Sequence, residues 1–125
     1  MYRYRLLLVD DDEAVRAVIK KNFGAVHGLN FEFIEADRLS AAIGILENNG
    51  IDGVITDLKL DDAGEMDAVI RLRKASPTVP IIVLSGFIDY EGTVKAIRLG
   101  ADYVRQKPPD NYQSMAEAID RKSVV

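Results

Sequence analysis

Asp10, Asp11 and Asp12 follow the apolar run Leu6-Leu7-Leu8-Val9, and Asp57 follows Gly53-Val54-Ile55-Thr56. Ser85 closes the run that begins at Pro80, and Lys107 comes just after Tyr103-Val104-Arg105-Gln106. A hydrophobic run ending in a carboxylate, hydroxyl or ammonium reads as a buried strand that delivers a polar group to its end. Singly, each residue says little, because an Asp after a strand is commonly the N-cap of the next helix; Asp12 is expected to be one. As a set they say more. Carboxylates gathered within several ångströms repel by about 1–4 kcal/mol per pair at protein-surface dielectrics, and a bound cation removes that repulsion. The chain has no Cys, and its single His, His27, stands in a turn beside Gly28, where it is expected to be solvated. Hard oxygen ligands without His or Cys favour a magnesium-like ion. A phosphoryl group accounts for the other two residues, since Lys107 offers a point charge to one of its oxygens and the Ser85 hydroxyl can donate to another. A carboxylate can accept a phosphoryl group when a metal screens the approaching anion. Asp57, expected in the middle of the sheet, is the natural acceptor.

The alternating pattern around these residues has to position them. Glu13 to Phe23 carries Val15, Val18, Ile19 and Phe23 at helical spacing, and Phe31 to Ala36 reads as a strand. Leu39, Ala42, Ile43 and Leu46 repeat the helical stripe until Asn48-Asn49-Gly50 stops it. Met66, Val69 and Ile70 mark a third helix closed by Ser76-Pro77, and Pro80 to Leu84 reads as a strand buried on both faces. Glu91 to Leu99 forms a fourth helix ended by Gly100, Tyr103 to Gln106 a fifth strand, and Tyr112 to Arg121 a fifth helix. Strands alternating with helices over short connections predict an α/β fold, a single doubly wound five-stranded parallel sheet in the order 2-1-3-4-5. Residues 1–125 are expected to form one domain. In such sheets the ligand crevice lies beyond the carboxyl ends of the strands, which is where the polar set falls. Sixteen Lys and Arg against 20 Asp and Glu argue against this segment gripping a nucleic-acid backbone. No apolar run approaches the roughly 20 residues of a membrane span, and the start lacks the pattern of a secretory signal, so a cytoplasmic location is expected.

The same residues carry a family resemblance. Leu7-Leu8-Val9-Asp10-Asp11-Asp12-Glu13-Ala14-Val15-Arg16 resembles the opening of response-regulator receiver domains, an acidic pair followed by a helix with Arg one turn in. Val54-Ile55-Thr56-Asp57-Leu58-Lys59-Leu60 resembles their phosphoacceptor strand. Ile82-Val83-Leu84-Ser85-Gly86 and the stretch from Leu99-Gly100-Ala101-Asp102-Tyr103 to Lys107-Pro108 are similar to their two closing motifs. The match runs in order over essentially the whole chain. The resemblance implies a flavodoxin-like (βα)5 fold with Mg²⁺ held by Asp11 directly, by Asp10 largely through water, by Asp57 and by the Lys59 backbone carbonyl. It implies Asp57 as phosphoacceptor, Ser85 and Lys107 on the phosphoryl oxygens, and a cis Lys107–Pro108 bond. It further implies a sensor histidine kinase or phosphotransfer protein as phosphodonor. The surface of the fourth helix, fifth strand and fifth helix would then change its partners, a homodimer among them.

Three other readings compete. A haloacid-dehalogenase-type phosphatase would carry Asp-x-Asp-x-Thr/Val after the first strand, whereas here Ala14 fills the last place and no length remains for a cap domain. A flavodoxin-like cofactor binder would want a Ser/Thr/Gly-rich loop where this chain has four acids in a row. A pseudo-receiver that is never phosphorylated conflicts with the presence of acidic pair, acceptor and lysine together. The chain departs from the family pattern twice. After Leu60 it has Asp61-Asp62-Ala63-Gly64 without the usual proline, in a loop one residue shorter, so a different loop path is expected. Counting back from Lys107 also puts Val104 in the family's aromatic position and Arg105 in a core position. A buried unpaired guanidinium costs several kcal/mol (about 3–5 when a charge is left uncompensated), and a bulge at Arg105–Gln106 is therefore expected, with Tyr103 facing the fourth helix and Val104 in the core.

Overall fold

The computed structural model describes residues 2–122. Its elements alternate throughout: β1 (Arg3–Val9), α1 (Glu13–Gly24), β2 (Asn30–Ala36), α2 (Leu39–Asn48), β3 (Gly53–Thr56), α3 (Asp67–Ala75), β4 (Ile81–Ser85), α4 (Tyr90–Leu99), β5 (Tyr103–Gln106) and α5 (Tyr112–Lys122). The strands are parallel and ordered β2-β1-β3-β4-β5, as the alternation requires. Leu6, Leu7, Leu8 and Val9 are each fully buried, which a central strand covered on both faces demands. Leu6, Leu8, Ile55, Ile82 and Leu84 pack with Ile19 and Phe23 of α1 and Met115 and Ile119 of α5. On the opposite face Leu7, Val9, Val54 and Ile81 meet Leu39 and Ala42 of α2 and Ala68 and Leu72 of α3. Val83 and Val104 meet Val69 of α3 and Ala96 of α4.

Strand β5 corrects one expectation. It pairs with β4 without a bulge, Ile82 opposite Tyr103, Val83 opposite Val104, Leu84 opposite Arg105 and Ser85 opposite Gln106. Val104 lies on the α3–α4 side among Leu58, Val69 and Ala96, and Tyr103 packs on the α1–α5 side. The expected difficulty does not arise because β5 is an edge strand and Arg105 is exposed there. Its guanidinium turns back, with Nη1 donating to the Val104 carbonyl at 2.9 Å and the guanidinium carbon 5.2 Å from the Tyr103 ring centroid. A regular ladder then keeps every backbone pair that a bulge would have disrupted.

At the amino ends of the strands, Arg73 fastens several elements together. It donates to the Gly100 carbonyl from Nε at 3.1 Å and from Nη2 at 2.7 Å, to Val79 O at 2.7 Å, and to Asp102 Oδ2 at 3.0 Å. Gly100 ends α4 at φ +124°, and a Cβ there would lie 2.8 Å from Arg73 Cγ. Two reasons, backbone conformation and space, thus reserve the position for glycine. Gly100→Ala is expected to destabilise the protein by about 1–3 kcal/mol, read as a lower urea midpoint with unchanged slope. Combining it with Arg73→Ala should be clearly less than additive, because the first change already displaces the arginine.

Candidate functional site

Asp10 leaves the end of β1 with every polar group engaged. Its N–H donates to Ala36 O at 3.1 Å, its Oδ1 accepts from Asp12 N–H at 2.9 Å, and its Oδ2 accepts from Lys107 Nζ at 2.7 Å. The residue is 2% exposed. Asp57 leaves β3 beside it, its N–H donating to Val9 O at 2.9 Å. Asp57 Oδ1 accepts from Leu58 N–H at 2.7 Å and Lys59 N–H at 3.3 Å, and Oδ2 accepts from Lys107 Nζ at 3.1 Å. Lys107 is held beside the cluster by its N–H, which donates to Ser85 O at 2.8 Å; the Lys107–Pro108 bond that follows is cis, as expected.

Asp11, exposed, completes the group: one carboxylate oxygen each from Asp10, Asp11 and Asp57 lie within 4.8 Å of one another. Burial first, and then the charges of Asp61, Asp10 and Asp57, hold the Asp11 carboxyl above its ordinary pKa. Burial works to lower the pKa of Lys107, but its bonds to Asp10 and Asp57 and their charges outweigh it, so the ammonium titrates above its ordinary value. The crevice therefore holds a concentrated negative charge with one ammonium inside it. All the converging ligand atoms are oxygens, and this donor set fits a hard divalent cation such as Mg²⁺.

Not every residue of the expected set joins the cluster. Ser85 is 1% exposed at the end of β4, yet its hydroxyl donates to the Phe87 carbonyl at 3.0 Å rather than to a carboxylate. Lys59 is exposed, and with Asp11, Asp61, Glu65 and Phe87 it borders an open groove of about 520 Å³ over the cluster. Asp12 caps α1, its Oδ1 accepting from Ala14 N–H at 2.9 Å and Val15 N–H at 3.3 Å. His27 is exposed and away from the carboxylates.

In the loop after β3, Asp62 takes a role that the sequence did not reveal. Arg38 precedes α2 without a capping side-chain bond. Asp62 supplies the cap from the loop, accepting from Leu39 N–H at 2.8 Å and Ser40 N–H at 3.0 Å. These two bonds hold the Asp62 carboxyl below its ordinary pKa. The only signal in the sequence was a helix start lacking Ser, Thr, Asp or Asn at its own N-cap.

A parallel sheet whose central strands end in paired acids, with a lysine from the edge strand reaching between them, defines the class of doubly wound signalling domains built around an acidic crevice. The chain belongs to the response regulator receiver domain family, whose profile matches residues 6–120. It is 32% identical over 105 residues to the photosynthetic apparatus regulatory protein RegA of Rhodobacter capsulatus, a match covering 84% of this chain and 55% of that protein. It is 32% identical over 117 residues to a putative NtrX-like response regulator of Rickettsia felis, covering 89% of this chain and 23% of that one. The chain thus spans about half, or less, of these relatives. The CheY-like receiver domain of Methanospirillum hungatei superposes with a TM-score of 0.78 at 26% identity, over 98% of this chain and 94% of that one. Among the described residues no helix is long and apolar enough to cross a membrane.

Lys107→Met is expected to lower the stability of the metal-free protein by about 3–5 kcal/mol, because it leaves two buried carboxylates facing each other uncompensated. Asp57→Asn should recover part of that loss in the double variant, measured by chemical denaturation. Purely additive effects would show that the lysine does not bridge the pair. The sign with pH follows from the raised pKa. The contribution of Lys107 is complete below the ordinary lysine pKa of 10.5 and is lost as pH rises through its higher folded value.

Proposed function

We propose that residues 1–125 act as a phosphoacceptor receiver domain that takes a phosphoryl group on Asp57 from the phosphohistidine of a sensor histidine kinase or phosphotransfer protein. One observation carries this reading: a single ammonium, Lys107 Nζ, is bound at once to Asp10 and Asp57 within a set of three converging carboxylates. Asp10, Asp11, Asp57 and the Lys59 carbonyl are the groups that would hold Mg²⁺. When bound, the ion screens the negative charge of the incoming phosphoryl group and of the acceptor carboxylate.

The remaining work belongs to the chain. An oxygen of Asp57 attacks phosphorus, a P–O bond forms as the donor's P–N bond breaks, and the imidazole departs with its electron pair to be reprotonated. The backbone N–H groups of Leu58 and Lys59 hold the Asp57 carboxylate in place for that attack. Lys107 then exchanges a carboxylate for a phosphoryl oxygen, a charge-assisted bond, and the Ser85 hydroxyl turns to donate to another. Attack of water on phosphorus breaks the acyl phosphate again and ends the signal, so the domain acts on its own phosphoryl group alone. The apolar surface of Val15, Val18, Pro109 and Tyr112 beside Lys107 offers a phosphodonor protein a place to rest. Exposed Tyr90 and Ile97 give the α4–β5–α5 face the means to bind a partner, a second copy of the chain included. A cytoplasmic location follows from a kinase of that kind as donor.

A small-molecule phosphodonor with Mg²⁺ is expected to add one phosphoryl mass that is labile to base, and Asp57→Asn to abolish it. Equal labelling of the Asn variant would refute the assignment. Asp11→Asn should stabilise the metal-free protein modestly, by up to about 1 kcal/mol given its exposure, while removing most of the melting-temperature rise that millimolar Mg²⁺ gives the parent. Equal Mg²⁺ shifts in both proteins would rule Asp11 out as a ligand.

A further inference from the structure

We infer that Arg16 is a positioning residue for the acidic pair: it fixes the peptide between Asp10 and Asp11 so that Asp11 points into the crevice, and Glu35 of β2 holds Arg16 there. The inference rests on reading the crevice as a Mg²⁺ site. Asp10 needs no further help with its side chain, which Lys107 and the Asp12 N–H already fix. Asp11 is different. It is exposed, and its carboxylate accepts no hydrogen bond from another residue's side chain among the described residues. Its direction is therefore set by its backbone, and the peptide that leads into it is held at its oxygen by one side chain.

Arg16 Nη1 donates to the Asp10 carbonyl at 2.6 Å. The same guanidinium is oriented from its other side, Nε donating to Glu35 Oε1 at 2.9 Å, and Lys20 Nζ fixes the second oxygen of Glu35 at 2.9 Å. The Arg16 side chain is 15% exposed, far less than a solvated surface arginine. Bonds from both cations hold the Glu35 carboxyl below its ordinary pKa. The planar fork matters here, because a lysine at this place could reach the carbonyl or the carboxylate but not bridge both in fixed directions. Groups that orient a metal ligand from behind typically affect metal affinity by one or two orders of magnitude.

Mg²⁺ binding measured by calorimetry, together with the rate of labelling by a small-molecule phosphodonor as Mg²⁺ is raised, tests the role. Arg16→Ala should weaken Mg²⁺ binding about tenfold and return to the parent labelling rate at saturating Mg²⁺. Glu35→Gln should weaken binding in the same direction by a smaller factor, and Arg16→Lys should fall between parent and Ala. A merely structural salt bridge would lower the metal-free melting temperature and leave Mg²⁺ affinity alone. Affinities within about twofold of the parent in both Arg16→Ala and Glu35→Gln, or a labelling rate that stays low at saturation, overturn the inference. Should Arg16→Ala fail to fold, Glu35→Gln and Arg16→Lys decide by the same criterion. A parent protein that binds no Mg²⁺ at all refutes the site reading itself, and that result is distinct from equal binding by parent and variants.

Discussion

Three carboxylates at the ends of neighbouring strands repel one another, and the polar architecture of the upper face answers that repulsion. Lys107 stands between Asp10 and Asp57 with one ammonium on both. For it to be there, β5 must run in register to Gln106, and the Lys107 N–H that follows donates to Ser85 O. The bonds Asp10 N–H to Ala36 O and Asp57 N–H to Val9 O tie the ends of β2, β1 and β3 to one another in turn. The sheet thus brings like charges together by backbone bonds, and Lys107 offsets part of their repulsion.

That arrangement sets which parts are fixed and which are free. Asp10 is held at N–H, carbonyl and both carboxylate oxygens, and Asp57 at N–H and both carboxylate oxygens. Asp11, Asp61 and Lys59 face the open groove and are exposed. On the proposed reading, fixed acceptors beneath a solvent-accessible rim would suit a site that admits a protein phosphodonor. The opposite end of the sheet carries the Arg73–Asp102 fastening, extended by Lys122 Nζ to Asp102 Oδ1 at 2.7 Å.

Much of this was legible in the chain, and the reason is locality. Strand and helix periods, the Asp12 cap and the polar residue closing each strand all depend on residues close in sequence. Lys107 and Asp10 are 97 residues apart, and the rule that polar groups gather beyond the carboxyl ends of the strands placed both at one crevice, though not in direct contact. What escaped depends on contacts that a periodic pattern does not encode. The cap that Asp62 gives α2 crosses 23 positions and is made by a loop whose path the sequence left open. The error at β5 has a related cause. Whether a position in register is buried depends on how far the neighbouring helix covers a sheet's edge, and the alternation of apolar residues does not report coverage. Arg105 was read as a buried charge, but it lies at an open edge with its own carbonyl neighbour and Tyr103 to rest on.

The absence of a bulge bears on how a phosphoryl signal would leave the site. Ser85 has one hydroxyl proton, and it is donated to the Phe87 carbonyl. On the proposed reading that proton turns to the phosphoryl group, so the Phe87 carbonyl loses its partner and the segment after β4 must find water or a new donor. Gly86 precedes Phe87, and the stretch runs on directly to Asp89, which caps α4 by accepting from Gly92 N–H at 2.7 Å. The element joined most directly to the released carbonyl is therefore the start of α4. Beneath it, on the α4 side, β5 offers Val104, a small side chain already packed, while the aromatic Tyr103 faces the other way. No ring on β5 therefore faces the α4 side, and on the proposed reading the 86–89 segment is the part of the chain that loss of the Ser85 bond would touch first. Phe87, 70% exposed, stands in that segment and borders the groove.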